Sequence, residues 1–221
     1  VTTTPPRPPS VVARRTSRGS RAVLVLALAL LLVLLLRSFV VQTFSIPSDS
    51  MRPTLTPGER VLVWRVHAAD VRRGDVVVFD GTGTFSDSPA APQGLARLGA
   101  GVAEVLGFRP GESDYVKRVV GLPGDRITCC DAQGRLLVDG RPLDEPYVYP
   151  GDAASEVEFD IEVPEGRLWV MGDHRSDSVD SRSHLGSPGG GTIAVDDVIG
   201  RVVAVTWPLD AVGTVERGSA S

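Results

Sequence analysis

The sequence predicts a mainly β protein built from antiparallel sheets, carried behind one N-terminal transmembrane helix. Three observations predict it. From Thr43 onward the apolar residues come in short runs bounded by turn residues, the pattern of strands and not of amphipathic helices. The chain holds 24 Gly and 17 Pro in 221 residues, with aromatics at only 5%. That composition suits a turn-rich β protein better than a helix bundle. A single long apolar run, Ala22 to Leu36, precedes all of this.

The first 21 residues hold five arginines (Arg7, Arg14, Arg15, Arg18 and Arg21) and no acid, among Pro, Thr and Ser. This composition predicts a disordered basic arm over residues 1–21. The apolar run follows, is broken at Arg37 and Ser38, and resumes from Phe39 to Val41. Residues 22–41 thus predict one bilayer span of about 20 residues, with Arg37 reaching back to the interface. The basic arm places the N-terminus in the cytoplasm and the rest outside. A cleaved secretory signal is the rival reading. The stretch Thr43-Phe44-Ser45 makes a poor cleavage site, so a retained anchor is expected.

Strands are expected at "RVLVWRV" (60–66), "DVVVF" (75–79), "YVKRVVG" (115–121), "DRITC" (125–129), "RLLVDG" (135–140), "RLWVMG" (167–172) and "DVIGRVVAVTW" (197–207). "RRGD" and "LPGD" read as turns that feed strands, and "VDGRP" as a hairpin turn. Residues 81–114 read as an insertion, loop-like at first, with a short helix over Leu95 to Leu106. The extracytoplasmic domain is expected over 42–210, with a smaller β sub-domain at about 126–168 and a tail at 211–221.

The formal charge is −4, and all 27 acidic residues lie beyond the basic arm. A basic arm on an acidic body, with no further basic patch, argues against nucleic acid as the partner. Cys129 and Cys130 are adjacent and, with three histidines in the chain, form no zinc spacing. Outside the cytoplasm they could oxidise, but a vicinal disulfide is a strained ring, and unpaired or loosely paired loop thiols are the plainer reading.

Lys117 is the only lysine in a chain that otherwise uses Arg. Arg stays protonated in proteins, whereas a desolvated Lys can lose its proton. Working as a base near neutral pH requires its pKa to fall by roughly 3 units, or about 4 kcal/mol. In "YVKRVV" the alternation puts Tyr115, Lys117 and Val119 on one face and Val116, Arg118 and Val120 on the other. The adjacent cations therefore point apart. Taken alone, the residue also fits a surface lysine on a half-exposed strand.

A second segment, "FSIPSDSMRPTL" (44–55), follows the apolar run almost at once. Pro47 and Pro53 restrict the backbone on either side of Ser48 and Ser50. A nucleophilic Ser needs a base in reach and an oxyanion hole. A Ser-Pro turn leaving the membrane would look the same. A third segment, "MGDHRSDSVDSR" (171–182), is dense in Asp, Ser and Arg. It reads equally as a capped turn, and it lacks EF-hand spacing.

In this order, "SIPSDSMRPTL", "RRGDVVVF", "YVKRVVGLPGD" and "GDHRSDSVDSR" closely resemble the sequence boxes of bacterial type I signal peptidases, a membrane-bound Ser-Lys peptidase family. The resemblance runs from about Arg37 to Trp207. It implies a signal-peptidase-like catalytic domain with Ser50 as nucleophile and Lys117 as general base. Ser48, through its hydroxyl, and Ser50, through its backbone N–H, would form the oxyanion hole. Ser178 would orient the Lys117 amine, with Asp180 and Arg182 supporting the site as an ion pair. Phe44, Ile46, Met51, Leu55, Tyr115 and Val116 would shape shallow apolar pockets for small side chains. For each of these six, ordinary core packing is the plainer reading.

The resemblance further implies a serine endopeptidase that removes signal peptides from exported preproteins after an A-x-A site, with no metal or cofactor. Secreted preproteins, the lipid bilayer and the translocation machinery are the implied partners. Asp49 stands where many members have a small residue, and it is expected to face solvent. His174 and Ser176 stand where Asn and Asp are frequent. His174 is a poor choice as base, because eukaryotic-type relatives place their His where Lys117 stands. A repressor-type Ser-Lys autoprotease and an inactive membrane-anchored β domain are the alternative readings.

Overall fold

The computed structural model describes residues 18–39, 41–65, 70–85 and 113–218. Most of the basic arm and the expected helix over Leu95 to Leu106 lie outside these residues. Helix α1 runs over Arg18–Phe39. Its described side chains, Arg21 to Leu30 and Leu32, are exposed. Among the described residues no helix is long and apolar enough to cross a membrane. The expected span over 22–41 also ends too late: the helix stops at Phe39, and β1 (Val41–Ser45) begins at Val41. Val41 pairs with Trp64 as part of a ladder.

The remainder is antiparallel β structure. The chain adds β2 (Arg60–Trp64), β3 (Val76–Asp80) and the long β4 (Asp114–Gly121). Next come β5 (Arg126–Cys129), β6 (Leu137–Val138), β7 (Arg141–Pro142) and β8 (Phe159–Glu162). β9 (Arg167–Met171), β10 (Ile193–Ala194), β11 (Val198–Trp207) and β12 (Gly213–Thr214) complete the set. The large sheet has the order β1-β2-β11-β3-β4-β9-β10, with β12 on β11, and a small sheet has the order β7-β6-β5-β8.

The strands form where β-branched residues can pack on both faces of the large sheet. In β3, Val76 and Val78 join a core with Ile46, Met51, Leu55, Val61 and Val63. Val77 and Phe79 point the other way, into a cluster with Val119, Leu168 and Val170. This two-sided burial explains the continuous apolar run of "VVVF". A third cluster joins the two sheets through Val120, Ile127, Phe159, Trp169 and Met171. The β6–β7 hairpin turns on Asp139 and Gly140, both at positive φ (51° and 75°). This is the backbone that a two-residue Asp-Gly turn requires.

Two further expectations are corrected. Cys129 and Cys130 are joined in a disulfide. Cys129 ends β5, and both residues pack against the cluster between the sheets, so they are not loop thiols. The expected tail is also docked on the domain over its described residues, 211–218. β12 pairs with β11, Arg217 Nε bonds Asp75 at 2.6 Å, and the Gly218 N–H donates to the Gly74 carbonyl at 3.2 Å. Apolar periodicity could not reveal this docking, because it rests on one two-residue strand, one ion pair and backbone contacts.

Candidate active site

The site forms where three chain segments meet: the turn after β1, the middle of β4, and the loop after β9. Between Pro47 and Pro53, residues Asp49–Met51 make one 3-10 turn with Ser48 extended before it. The turn is held at its far end. Met51 and Leu55 are fully buried in the core, and the Leu55 N–H donates to the Met51 carbonyl at 2.8 Å. Burying two large apolar side chains on this segment leaves the Ser50 hydroxyl little freedom to move.

β4 brings Lys117 to that hydroxyl. Lys117 is 4% exposed, which disposes of the surface-lysine reading, and its Nζ donates to Ser50 Oγ at 2.7 Å. Ser48 Oγ lies 3.2 Å from Ser50 Oγ. Burial pushes the Lys117 ammonium down from 10.5 to about 8, against the pull of Asp180 and Asp173. Desolvation therefore outweighs the carboxylates, as it must if the amine is to be neutral in reach of neutral pH. Asp49 does not enter this balance. It pairs with Arg52 at 3.2 Å with both side chains about half exposed.

Arg118 leaves the opposite face of β4 and is buried as deeply. Its Nε and Nη2 grip Asp173 at 2.7 and 2.6 Å. Its Nη1 donates to the Gly74 carbonyl and its Nη2 to Thr54 Oγ1. The guanidinium also lies 4.1 Å over the Tyr147 ring. Thr54 Oγ1 in turn donates to Asp173 at 2.5 Å, which ties the turn after Ser50 to the loop after β9. Neither Arg118 nor Asp173 is among the catalytic or supporting residues that the resemblance implies. The one available signal was an Arg beside the Lys on an otherwise apolar strand.

The loop after β9 closes the site. Asp180 and Arg182 form a buried bidentate pair at 2.9 and 2.7 Å. Burial alone would raise the Asp180 carboxyl, but Arg182 and the Gly172 N–H outweigh it and hold the group below its ordinary range. The His174 N–H donates to the Ser50 carbonyl at 3.1 Å. Ser178 Oγ is buried against Gly172, close enough to Asp180 to help hold that carboxyl low by hydrogen bonding. The bond from Ser178 to Lys117 that the resemblance implied is not formed in this conformation.

The expected pocket residues divide into groups. Ile46, Met51 and Leu55 are buried core residues, as the plainer packing reading has it. Phe44 and Val116 pack on that core and keep partial exposure. Tyr115 belongs to the other face of β4, stacked on Phe79 at 5.9 Å, with its hydroxyl donating to the Phe85 carbonyl. No group of three or more potential metal-ligating residues occurs among the described residues.

A buried amine against a serine hydroxyl, with a second hydroxyl beside it, is the equipment of a nucleophilic acyl transfer without histidine. The family described as signal peptidase, peptidase S26, matches residues 20–207. The chain belongs to this family.

Among curated signal peptidase relatives, the probable signal peptidase I of Mycobacterium leprae is 35% identical over 86% of this chain and 76% of its own. Signal peptidase I of Mycobacterium tuberculosis (strain CDC 1551 / Oshkosh) is 35% identical, covering 95% of this chain and 78% of the relative. That of Leptolyngbya laminosa is 30% identical over 96% and 91%. A solved signal peptidase I from Enterococcus faecalis V583 covers 60% of this chain and 96% of its own, at 23% identity and a TM-score of 0.38.

Proposed function

We propose that this chain is a membrane-anchored serine endopeptidase that removes signal peptides from exported preproteins after a small-x-small site, using a Ser50–Lys117 dyad. The observation that carries the reading is the 2.7 Å contact between Ser50 Oγ and the buried Lys117 Nζ. Neutral Lys117 takes the Ser50 proton as Oγ attacks the carbonyl after the second small residue. Ser48 Oγ and the Ser50 N–H receive the charge that develops on the carbonyl oxygen. The intermediate collapses, the Lys117 ammonium protonates the leaving amine, and the mature protein departs. Lys117 then deprotonates a water that attacks the ester, and as the acyl–Oγ bond breaks and the signal peptide leaves, the ammonium returns that proton to Ser50 Oγ. Lys117, Ser50 and Ser48 supply the base, the nucleophile and the oxyanion donors.

Asp180 and Arg182 are assigned as support for the loop, and Ser178 as the group that orients the amine once it rotates to meet it. Phe44 and Val116 are assigned to the substrate cleft, where their partial exposure supports contact with small side chains. The anchor is supported by the apolar sequence of residues 22–36 and by the basic arm before it. It would hold Ser50 near the bilayer surface, where preproteins emerge beside the translocation machinery. The catalytic domain would then lie outside the cytoplasm.

The test is cleavage of a purified preprotein carrying an A-x-A signal, with wild type and Ser50→Ala in detergent. The reading predicts a cut directly after the second Ala, its loss when that Ala becomes Leu, and no cut by Ser50→Ala. Cleavage by Ser50→Ala at the wild-type rate would refute it.

A further inference from the structure

The nucleophile turn touches the loop after β9 through one backbone peptide, and that peptide is held from the small-sheet side of the molecule. The His174 N–H donates to the Ser50 carbonyl at 3.1 Å. The carbonyl of the same peptide, that of Asp173, accepts the Tyr149 N–H at 2.9 Å. The two bonds run head to tail through the Asp173–His174 peptide, an arrangement in which each polarises the other. Both side chains flanking this peptide are fixed. Asp173 is gripped by Arg118. The His174 ring stacks on the Tyr149 ring with centroids 4.1 Å apart and planes 29° from parallel.

The stack sits within a larger clamp. Residues 145–154 hold the loop at three further points. Glu145 pairs with the buried Arg175, the Ala154 carbonyl accepts from Arg175 Nη1 at 2.7 Å, and Asp152 accepts from the Ser176 N–H and hydroxyl. These contacts hold residues 175 and 176. Only Tyr149 reaches the peptide that bonds Ser50. The His174 imidazole lies 4.0 Å from Asp152 and 3.9 Å from Asp177, and its Nδ1 is buried without a hydrogen-bond partner among the described residues. The ring is therefore placed by stacking, not by a hydrogen bond.

We infer that Tyr149 is a positioning residue for Ser50, acting through its stack on His174 and its bond to the Asp173–His174 peptide. Ser50 needs its carbonyl fixed because its Oγ faces Lys117 and its own N–H is the proposed oxyanion donor. A small rotation of this residue would misalign both. The inference rests on the proposed role of Ser50.

The test uses the full chain in detergent and the A-x-A preprotein, with kcat, KM and Tm measured for each variant. Tyr149→Leu should lower kcat about 10- to 100-fold with KM within about twofold, since misplacing a reacting group acts on the chemical step. Tyr149→Phe keeps the stack and should restore the wild-type rate. His174→Asn should lose as much as Tyr149→Leu, and the double variant should lose no more than either alone.

Wild-type cleavage together with an unimpaired Tyr149→Leu overturns this inference alone. Losses that multiply in the double variant, or a fall in kcat that only tracks the unfolded fraction, overturn it also. A wild type that leaves the preprotein intact overturns the proposed function as well.

Discussion

Lys117 and Arg118 are neighbours on β4 and both are buried, at 4% and 1% exposure, yet they are treated in opposite ways. Arg118 receives a bidentate carboxylate, a carbonyl, a hydroxyl and an aromatic face. Lys117 receives a single serine hydroxyl and forms no ion pair with any described residue. One cation is kept charged and used as a girder. The other is desolvated without a counter-ion, so that its charge can be removed.

That difference predicts a pH-dependent stability. Lys117 titrates near 10.5 when unfolded and at about 8 when folded. Between these values the unfolded chain binds a proton that the folded chain lacks, so stability rises with pH across this window and is lowest below it. The penalty below pH 8 is about 3 kcal/mol. Lys117→Met should therefore raise Tm near neutral pH, with the gain shrinking to nothing by the upper end of the window. A Tm difference that does not vary with pH would contradict the assignment.

In the proposed mechanism the same titration sets the rate. The value of kcat/KM should climb with pH and level off with a midpoint of about 8, reporting the free enzyme's base. Asp180 is the strongest carboxylate influence holding the proton on Lys117. Asp180→Asn should move the midpoint to lower pH, and the now unpaired Arg182 charge pushes in the same direction. The variant should also lose about 3–5 kcal/mol of stability, because a buried guanidinium is left without its partner. An unmoved or raised midpoint counts against the electrostatic account.

Ser48 tests the oxyanion assignment separately. Its Oγ lies 3.2 Å from Ser50 Oγ and its residue is exposed, so truncation should leave the core unchanged. Ser48→Ala should reduce kcat about 100- to 1000-fold with little change in KM, the usual result of deleting one oxyanion donor. A loss confined to KM would mean that Ser48 binds substrate without stabilising the transition state.

Gly172 is predicted to tolerate no side chain. A Cβ there would strike Ser178 Oγ and the Ser50 carbonyl oxygen. The second is backbone and cannot swing aside. Gly172→Ala should abolish cleavage while lowering Tm by only a few degrees, since the strain is local to the turn. Measuring both quantities on one preparation decides it; an active variant would show that the turn can yield.

The strands of the large sheet were legible wherever β-branched runs were long, as in β3, β4 and β11. Lys117 stood out as the only lysine, whereas Ser50 stood out only through the resemblance of its segment to the family's boxes, because a Ser-Pro turn would look the same. Other features were not. β1 was hidden because Val41 continues an apolar run that belongs to a helix. The Arg118–Asp173 pair escaped because strand alternation shows that an Arg faces away from a Lys, not that it is buried. The Tyr149 stack was invisible because its partner lies 25 positions away, beyond any local periodicity. The pairing of Cys129 and Cys130 depends on backbone geometry that adjacency does not specify.

The central claim is that Lys117 acts as the base, and Lys117→Arg addresses it most directly. Arg keeps the positive charge and most of the length but does not deprotonate in a protein. Cleavage of the A-x-A preprotein should be followed for both proteins, with circular dichroism and Tm confirming that the variant folds. The account predicts a folded variant with cleavage reduced at least about 1000-fold, on the scale of removing a general base with its nucleophile's activation. Cleavage by Lys117→Arg at the wild-type rate would contradict it and leave the 2.7 Å contact without a chemical role.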